Sequence, residues 1–206
     1  MSTTKKLVIA VVALSVAMCC MIGGTIAWLT SKPDAVVNTF VVGNIKITLD
    51  EIKVTPYGVA NGTERVLKNS YKLIPGQSYT KDPTVHVDKT LTNEKCYIFI
   101  KVENQIANIE ANGNGNVTIA EQIVANGWLV HDATNGIYYK VFDPATAEDF
   151  DLEIFATFKI TSDISNEAIA AYNEKTVKVT AYAIQYLGFE NSVANAWTTV
   201  SAATNG

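Results

Sequence analysis

The chain has 206 residues, of which 48% are hydrophobic and 17% charged, and its formal net charge is -4. This supply of Val, Ile and aromatic side chains is enough to bury a core, which excludes a disordered tail and fits one globular domain with a short appendage. The mild acidity leaves no surplus of Lys and Arg to neutralise phosphates, and no basic run is interleaved with aromatics, so nucleic acid is excluded as a partner.

At the N-terminus Lys5 and Lys6 precede an uncharged apolar run from Leu7 to Ile22, then Gly23-Gly24-Thr25-Ile26-Ala27. Small residues at Thr25 and Ala27 occupy the positions that a signal peptidase reads, so residues 1–27 are expected to be a signal peptide cleaved between Ala27 and Trp28. Two rival readings stand beside it. One is a retained membrane anchor, although the run is short for crossing about 30 Å of hydrocarbon and the Gly pair weakens its exit. The other is lipidation at Cys19, which meets a large Met18 where a small residue is needed. On the first reading the membrane is touched only through the uncleaved segment, and the product is secreted to the extracellular matrix or cell surface. Cleavage removes two lysines and no acids, leaving 14 basic residues against 20 acidic and a charge of -6. Cys19 and Cys20 leave with the signal, so Cys96 stays alone and no intrachain disulfide is possible.

Residues 28–42 read as an extended, apolar-rich arm carrying Trp28, Leu29, Val36, Val37 and Phe40. Pro33 within it lacks a backbone donor and must sit at its start or at a bulge. Residues 43–206 read as one β-rich domain. From Phe40 to Leu49 the sequence alternates, with Val41, Gly43, Ile45, Ile47 and Leu49 on the inward parity, which predicts a half-buried strand. The same period predicts strands over Thr84 to Asp88, Cys96 to Glu103, Ile154 to Ile160 and Val177 to Leu187. In the second of these, Tyr97 and Phe99 face away from the aliphatic row, and Cys96 shares that row as a small buried hydrophobe. Pro75-Gly76 predicts a turn. Two apolar runs between Trp128 and Phe142 flank Asn135-Gly136, which predicts a tight hairpin. Asn108 to Asn116, rich in Asn and Gly, predicts a surface loop. Helical signals are short: Thr118 with Glu121 forms a capping-box pattern stopped after Asn126 by Gly127, and Ser165 to Tyr172 places Ala168, Ile169 and Tyr172 on one face. The fold expected is therefore all-β, an antiparallel β-sandwich or jelly roll with one or two short helices in its connections.

Chemistry-bearing patterns are sparse. His86 and His131 each stand alone in strand-like segments, without the second ligand at helical spacing that a zinc hydrolase needs, so surface or edge-strand positions are expected for both. There is no nucleophile elbow, no phosphate-binding loop and no base beside Cys96. Asp143, Glu148, Asp149, Asp151 and Glu153 form an acidic stretch whose spacing does not match an EF-hand, and it reads as a solvated loop rather than a calcium site. No catalytic residue, metal or cofactor is expected.

Gly23-Gly24-Thr25-Ile26-Ala27-Trp28-Leu29-Thr30, followed by Asn38-Thr39-Phe40-Val41-Val42-Gly43-Asn44-Ile45, resembles the N-terminus of exported Gram-positive proteins processed by a SipW-type signal peptidase. That family includes the biofilm fibre protein TasA and camelysin. Leu73-Ile74-Pro75-Gly76-Gln77, Lys81-Asp82-Pro83-Thr84-Val85, Cys96 to Val102, and Ala183-Ile184-Gln185 with Ala196-Trp197 look like blocks of its clostridial-type members. The resemblance implies a jelly-roll subunit that polymerises with itself outside the cell, its freed N-terminal arm completing the neighbouring subunit's sheet. An arm folded back on its own domain is the plain alternative. A monomeric adhesin binding through loops such as Asn108 to Asn116 is a second. The protease description attached to camelysin supplies an enzyme reading, against which the missing zinc signature stands.

Overall fold

A computed structural model of the protein describes residues 44–203. In chain order the strands are β1 (Ile47–Val54), β2 (Ala60–Val66), β3 (Ser78–Thr80), β4 (Thr84–Val87), β5 (Cys96–Asn104), β6 (Leu129–Asp132), β7 (Ile137–Phe142), β8 (Asp151–Glu153), β9 (Thr157–Lys159) and β10 (Val177–Gln185). The helices are α1 (Ile119–Ala125), α2 (Asn166–Ile169) and α3 (Val193–Ala203). The strands pair antiparallel throughout, in one sheet of order β2-β1-β4-β8, a second of order β10-β5-β7-β6, and a ribbon of β3 with β9. The all-β sandwich read from the sequence is the fold.

The core forms because inward parities of the two sheets meet. On β1 and β4 the register pairs Ile47 with Val87 and Leu49 with Val85, and these face Cys96, Ile98, Ile100 and Val102 of β5. Fully burying a side chain such as Ile98 or Ile100 contributes about 1.5–3 kcal/mol. The capping box of α1 is present as expected: the Thr118 hydroxyl accepts from the Glu121 amide and the Glu121 carboxylate accepts from the Thr118 amide. One turn apart, Ile119 and Ile123 then enter the core. The Ile74-Pro75-Gly76-Gln77 turn closes with Gln77 N–H donating to Ile74 O at 3.2 Å. Gly76 takes φ +75° there, the left-handed third position of a type II turn.

The opposite parity of β5 builds a second, smaller core, as the alternation predicts. Tyr97 and Phe99 pack with Ile137, Ala196 and Val200. Its lid is α3, which follows the last strand and has no counterpart in the sequence reading; among the described residues the α-helices that lie in connections are the short α1 and α2, as expected. The run from Val193 to Ala203 has only Ala, Asn, Thr and Ser around Val193, Trp197 and Val200, so its helical stripe is faint until the aromatic sheet face supplies a surface to bury it.

β2 has no counterpart in the sequence reading: it shows no alternation and is exposed along nearly its whole length, and pairing with β1, not burial, makes it a strand. Three expectations are corrected. The single strand expected over Ile154 to Ile160 is divided: β8 ends at Glu153, β9 begins at Thr157, and Ile154 and Phe155 lie fully buried between them. There the chain leaves β8 in one sheet and joins β3 as β9. At Asn135-Gly136 the loop spans four residues, with only Gly136 at positive φ, rather than a two-residue mirror turn. In the second helical candidate Ile169 and Tyr172 pack on the core, whereas Ala168 is exposed.

Candidate functional site

The cleavage pair Ala27 and Trp28 and the arm residues Trp28, Leu29, Val36, Val37 and Phe40 lie outside the described residues. β10 is paired with β5 over nine residues, from Val177 opposite Asn104 to Gln185 opposite Cys96, and has no partner among the described strands on its other edge. β1 approaches β10 without pairing with it, and over Ile47 to Asp50 it pairs with β4 alone. Along this seam Ile45, Ile47 and Leu49 on one side and Val177, Val179 and Ala181 on the other are half-buried, packed on the core yet partly open. An apolar strip flanked by unpaired backbone is the chemistry a further strand satisfies.

The outer face of the first sheet carries a row of charges drawn from all four strands. Arg65 of β2 bonds Asp50 of β1 through Nε and Asp82 through Nη1 at 3.0 Å. Asp50 Oδ1 meets His86 Nε2 of β4 at 2.8 Å, and His86 Nδ1 meets Asp151 Oδ1 of β8 at 2.6 Å. Burial opposes charge on the imidazole, yet hydrogen bonds to Asp151 and Asp50 outweigh it and raise the pKa above the ordinary value. For Asp50, burial likewise works upward, and the bonds from Arg65 and His86 overcome it and hold the carboxyl below its usual range. His86 thus sits on an interior strand, not an edge, and it meets acidic partners the sequence did not reveal. With both ring nitrogens occupied by carboxylates, it offers none to a metal.

His131 does lie on an edge strand, β6, with its ring centroid 6.2 Å from that of Phe99 and 6.4 Å from that of Trp197. Among the described residues no group of three His, Cys, Asp or Glu side chains is arranged to hold a metal ion. The acidic stretch is spent locally: Asp143 caps the Ala145 amide, Asp149 the Asp151 amide, and Glu153 accepts from Asn126. Burial, helped by Asp143, pushes the Cys96 thiol up to about 12, which fits its role in packing. The Asn108 to Asn116 segment is a loop, as read, although Ile109 anchors it in the core.

Beneath the charge row lies a buried polar cluster that sequence reasoning missed. Glu51 continues the inward parity of Ile47 and Leu49, so a carboxylate stands where the pattern calls for a hydrophobe, and it is only 5% exposed. Its Oε2 pairs with the Lys81 ammonium, itself 8% exposed, and its Oε1 accepts from Asn69 Nδ2 at 2.9 Å. Asn69 is held at both ends of its amide. Its Nδ2 also donates to Ile52 O at 2.8 Å, and its Oδ1 accepts from the Val54 N–H at 3.0 Å, bridging the β1 bulge. Tyr71 flanks the ammonium at 6.0 Å and packs edge-on against Tyr79 and Phe158, making an aromatic wall. The available signal was the parity itself: Glu51 is the next inward position after the unbroken apolar row that ends at Leu49.

Fold and sites together define an all-β sandwich with an open seam and a buried Lys-Glu-Asn cluster. No family model, no curated protein and no solved structure matches this chain. No described helix is long and apolar enough to cross a membrane.

Proposed function

We propose that the chain is a secreted structural subunit of a biofilm matrix or surface fibre, without catalytic activity, which joins to copies of itself by donor-strand exchange. The observation that carries this reading is the seam between β1 and β10, where a nine-residue strand edge and a half-covered apolar strip await a partner. The arm at residues 28–42 has the composition to fill it, with Trp28, Leu29, Val36, Val37 and Phe40 as side chains for the alternate pockets. Removal of residues 1–27 by a signal peptidase frees the arm, so that one proteolytic step controls polymerisation. Resemblance to the TasA and camelysin group supports the same reading.

Deleting residues 28–37 from the processed protein is expected to leave a folded monomer that neither elongates nor joins wild-type fibres in electron micrographs. Polar substitutions in Asn108 to Asn116 are expected to leave growth intact. Fibres of normal length from the truncated protein would defeat donor-strand exchange and favour the adhesin.

A further inference from the structure

We propose that Lys81 and Asn69 become joined by an intramolecular isopeptide bond, formed without any cofactor and promoted by Glu51. The inference is independent of the fibre reading. Three groups are needed for such a bond: an amine, a carboxamide, and a carboxyl that moves protons between them. Glu51 meets both of the others, one oxygen each; Glu51 and Lys81 are buried, Asn69 is half-buried, and Tyr71 packs beside the ammonium with Tyr79 and Phe158 behind it.

The step balances with the groups present. Glu51 takes a proton from the Lys81 ammonium, leaving a free amine at Nζ, the form in which a lysine is a nucleophile. Nζ attacks Asn69 Cγ, and the negative charge that develops on Oδ1 falls where the Val54 N–H already donates, a fixed backbone dipole of the kind that stabilises a tetrahedral adduct. Glu51 then returns its proton to Nδ2, the Cγ–Nδ2 bond breaks, and ammonia departs. The second proton on Nζ passes to Glu51 as the new Nζ–Cγ amide forms. Nothing is oxidised or reduced. Nδ2 is a suitable leaving group here because its hydrogen bond to Glu51 Oε1 already aims it at the proton donor.

The cluster also has a reason to be covalent. A buried ion pair gains little over an apolar pair of the same volume once its desolvation is counted, so stability alone gives weak grounds for Lys81 and Glu51 under the sheet. A disulfide is closed to this domain, since its single cysteine is buried. Linking Asn69 to Lys81 would tie the connection after β2 to the segment entering β4, closing a loop that contains the Pro75-Gly76 turn and β3.

Tryptic mapping of the purified full chain by mass spectrometry tests the bond. The expected result is a branched product in which residues 69–72 are joined to residues 73–89 through an uncleaved Lys81, lighter than its two parts by one ammonia. Glu51→Gln preserves the shape and removes the proton carrier. That variant is expected to give separate, unmodified peptides while remaining folded by circular dichroism, and Lys81→Arg should behave likewise. If the wild-type protein yields free peptides 69–72 and 73–81 at full mass, the cluster is an ion pair and the proposal is wrong. A branched peptide that persists undiminished in Glu51→Gln would remove Glu51 from the chemistry.

Discussion

Gly136 shows how a single backbone position constrains the second sheet. Its φ of +66° lies in the left-handed region, and a Cβ there would stand 2.2 Å from Val102 O, the same residue whose amide donates to Gly136 O at 2.8 Å. Gly136→Ala therefore meets both strain and a backbone collision, and it should lower stability by more than about 1 kcal/mol, read as a fall in the urea midpoint. His86 gives a second prediction at this scale. Its folded pKa is raised above its unfolded value near 6.5, so the stability it contributes is complete below that value and is lost as pH rises through the folded one. The neighbouring charges are Asp50, Arg65, Asp82 and Asp151, and the bonds from Arg65 and His86 that hold the Asp50 pKa low keep that carboxylate ionised across the window. The urea midpoint should fall as pH rises from the unfolded value through the folded one, and His86→Asn should flatten that slope. A wild-type midpoint that rises over the same interval would contradict the imidazolium bridge.

Among the elements, α3 has the clearest separable role. It buries Ala196 completely and Val200 nearly so against Tyr97, Phe99 and Ile137, with Trp197 5.4 Å from Phe99 and 5.3 Å from Tyr182 between ring centroids. Removing residues 193–206 uncovers that aromatic face while the aliphatic row of β5 remains packed in the main core. The truncated protein should keep its far-ultraviolet β signature, melt at a lower temperature, and bind a hydrophobic dye that the full chain does not. A truncation without dye binding would mean that the face closes by itself. Edge strands divide by chemistry in the same manner. β2 carries Glu64 and Arg65, whose charges discourage further pairing, whereas β10 presents a long, half-apolar edge to which a strand can be added.

At the scale of the whole molecule, export and assembly are proposed to be one event. N-terminal sequencing of secreted material should begin at Trp28, since Thr25 and Ala27 close the apolar run. A start at Cys19 would indicate lipidation, and an uncleaved chain would indicate a membrane-anchored protein. The isopeptide bond and the donated strand would act on different parts of this chain, one inside the sandwich and the other between copies.

What the sequence determined by itself was the set of local periods and stops. The two-residue alternation of Cys96 to Glu103 assigned each side chain to its face, and the Thr118 to Glu121 spacing located a helix start, because backbone geometry and nearest neighbours suffice for both. Tertiary structure alone decided matters that depend on distant partners. β2 is a strand through β1, α3 is a helix with an aromatic bed to lie on, and Ile154-Phe155 is a crossing point where two sheets compete for one chain. Glu51, Asn69 and Lys81 are separated by up to 30 positions and converge around β1, and Asp50, His86 and Asp151 meet across the registers of β1 with β4 and of β4 with β8. Their types were visible in the sequence. Their meeting was not, since a carboxylate's chemistry is set by the groups within a few ångströms of it, and only the pairing of strands fixes which groups those are.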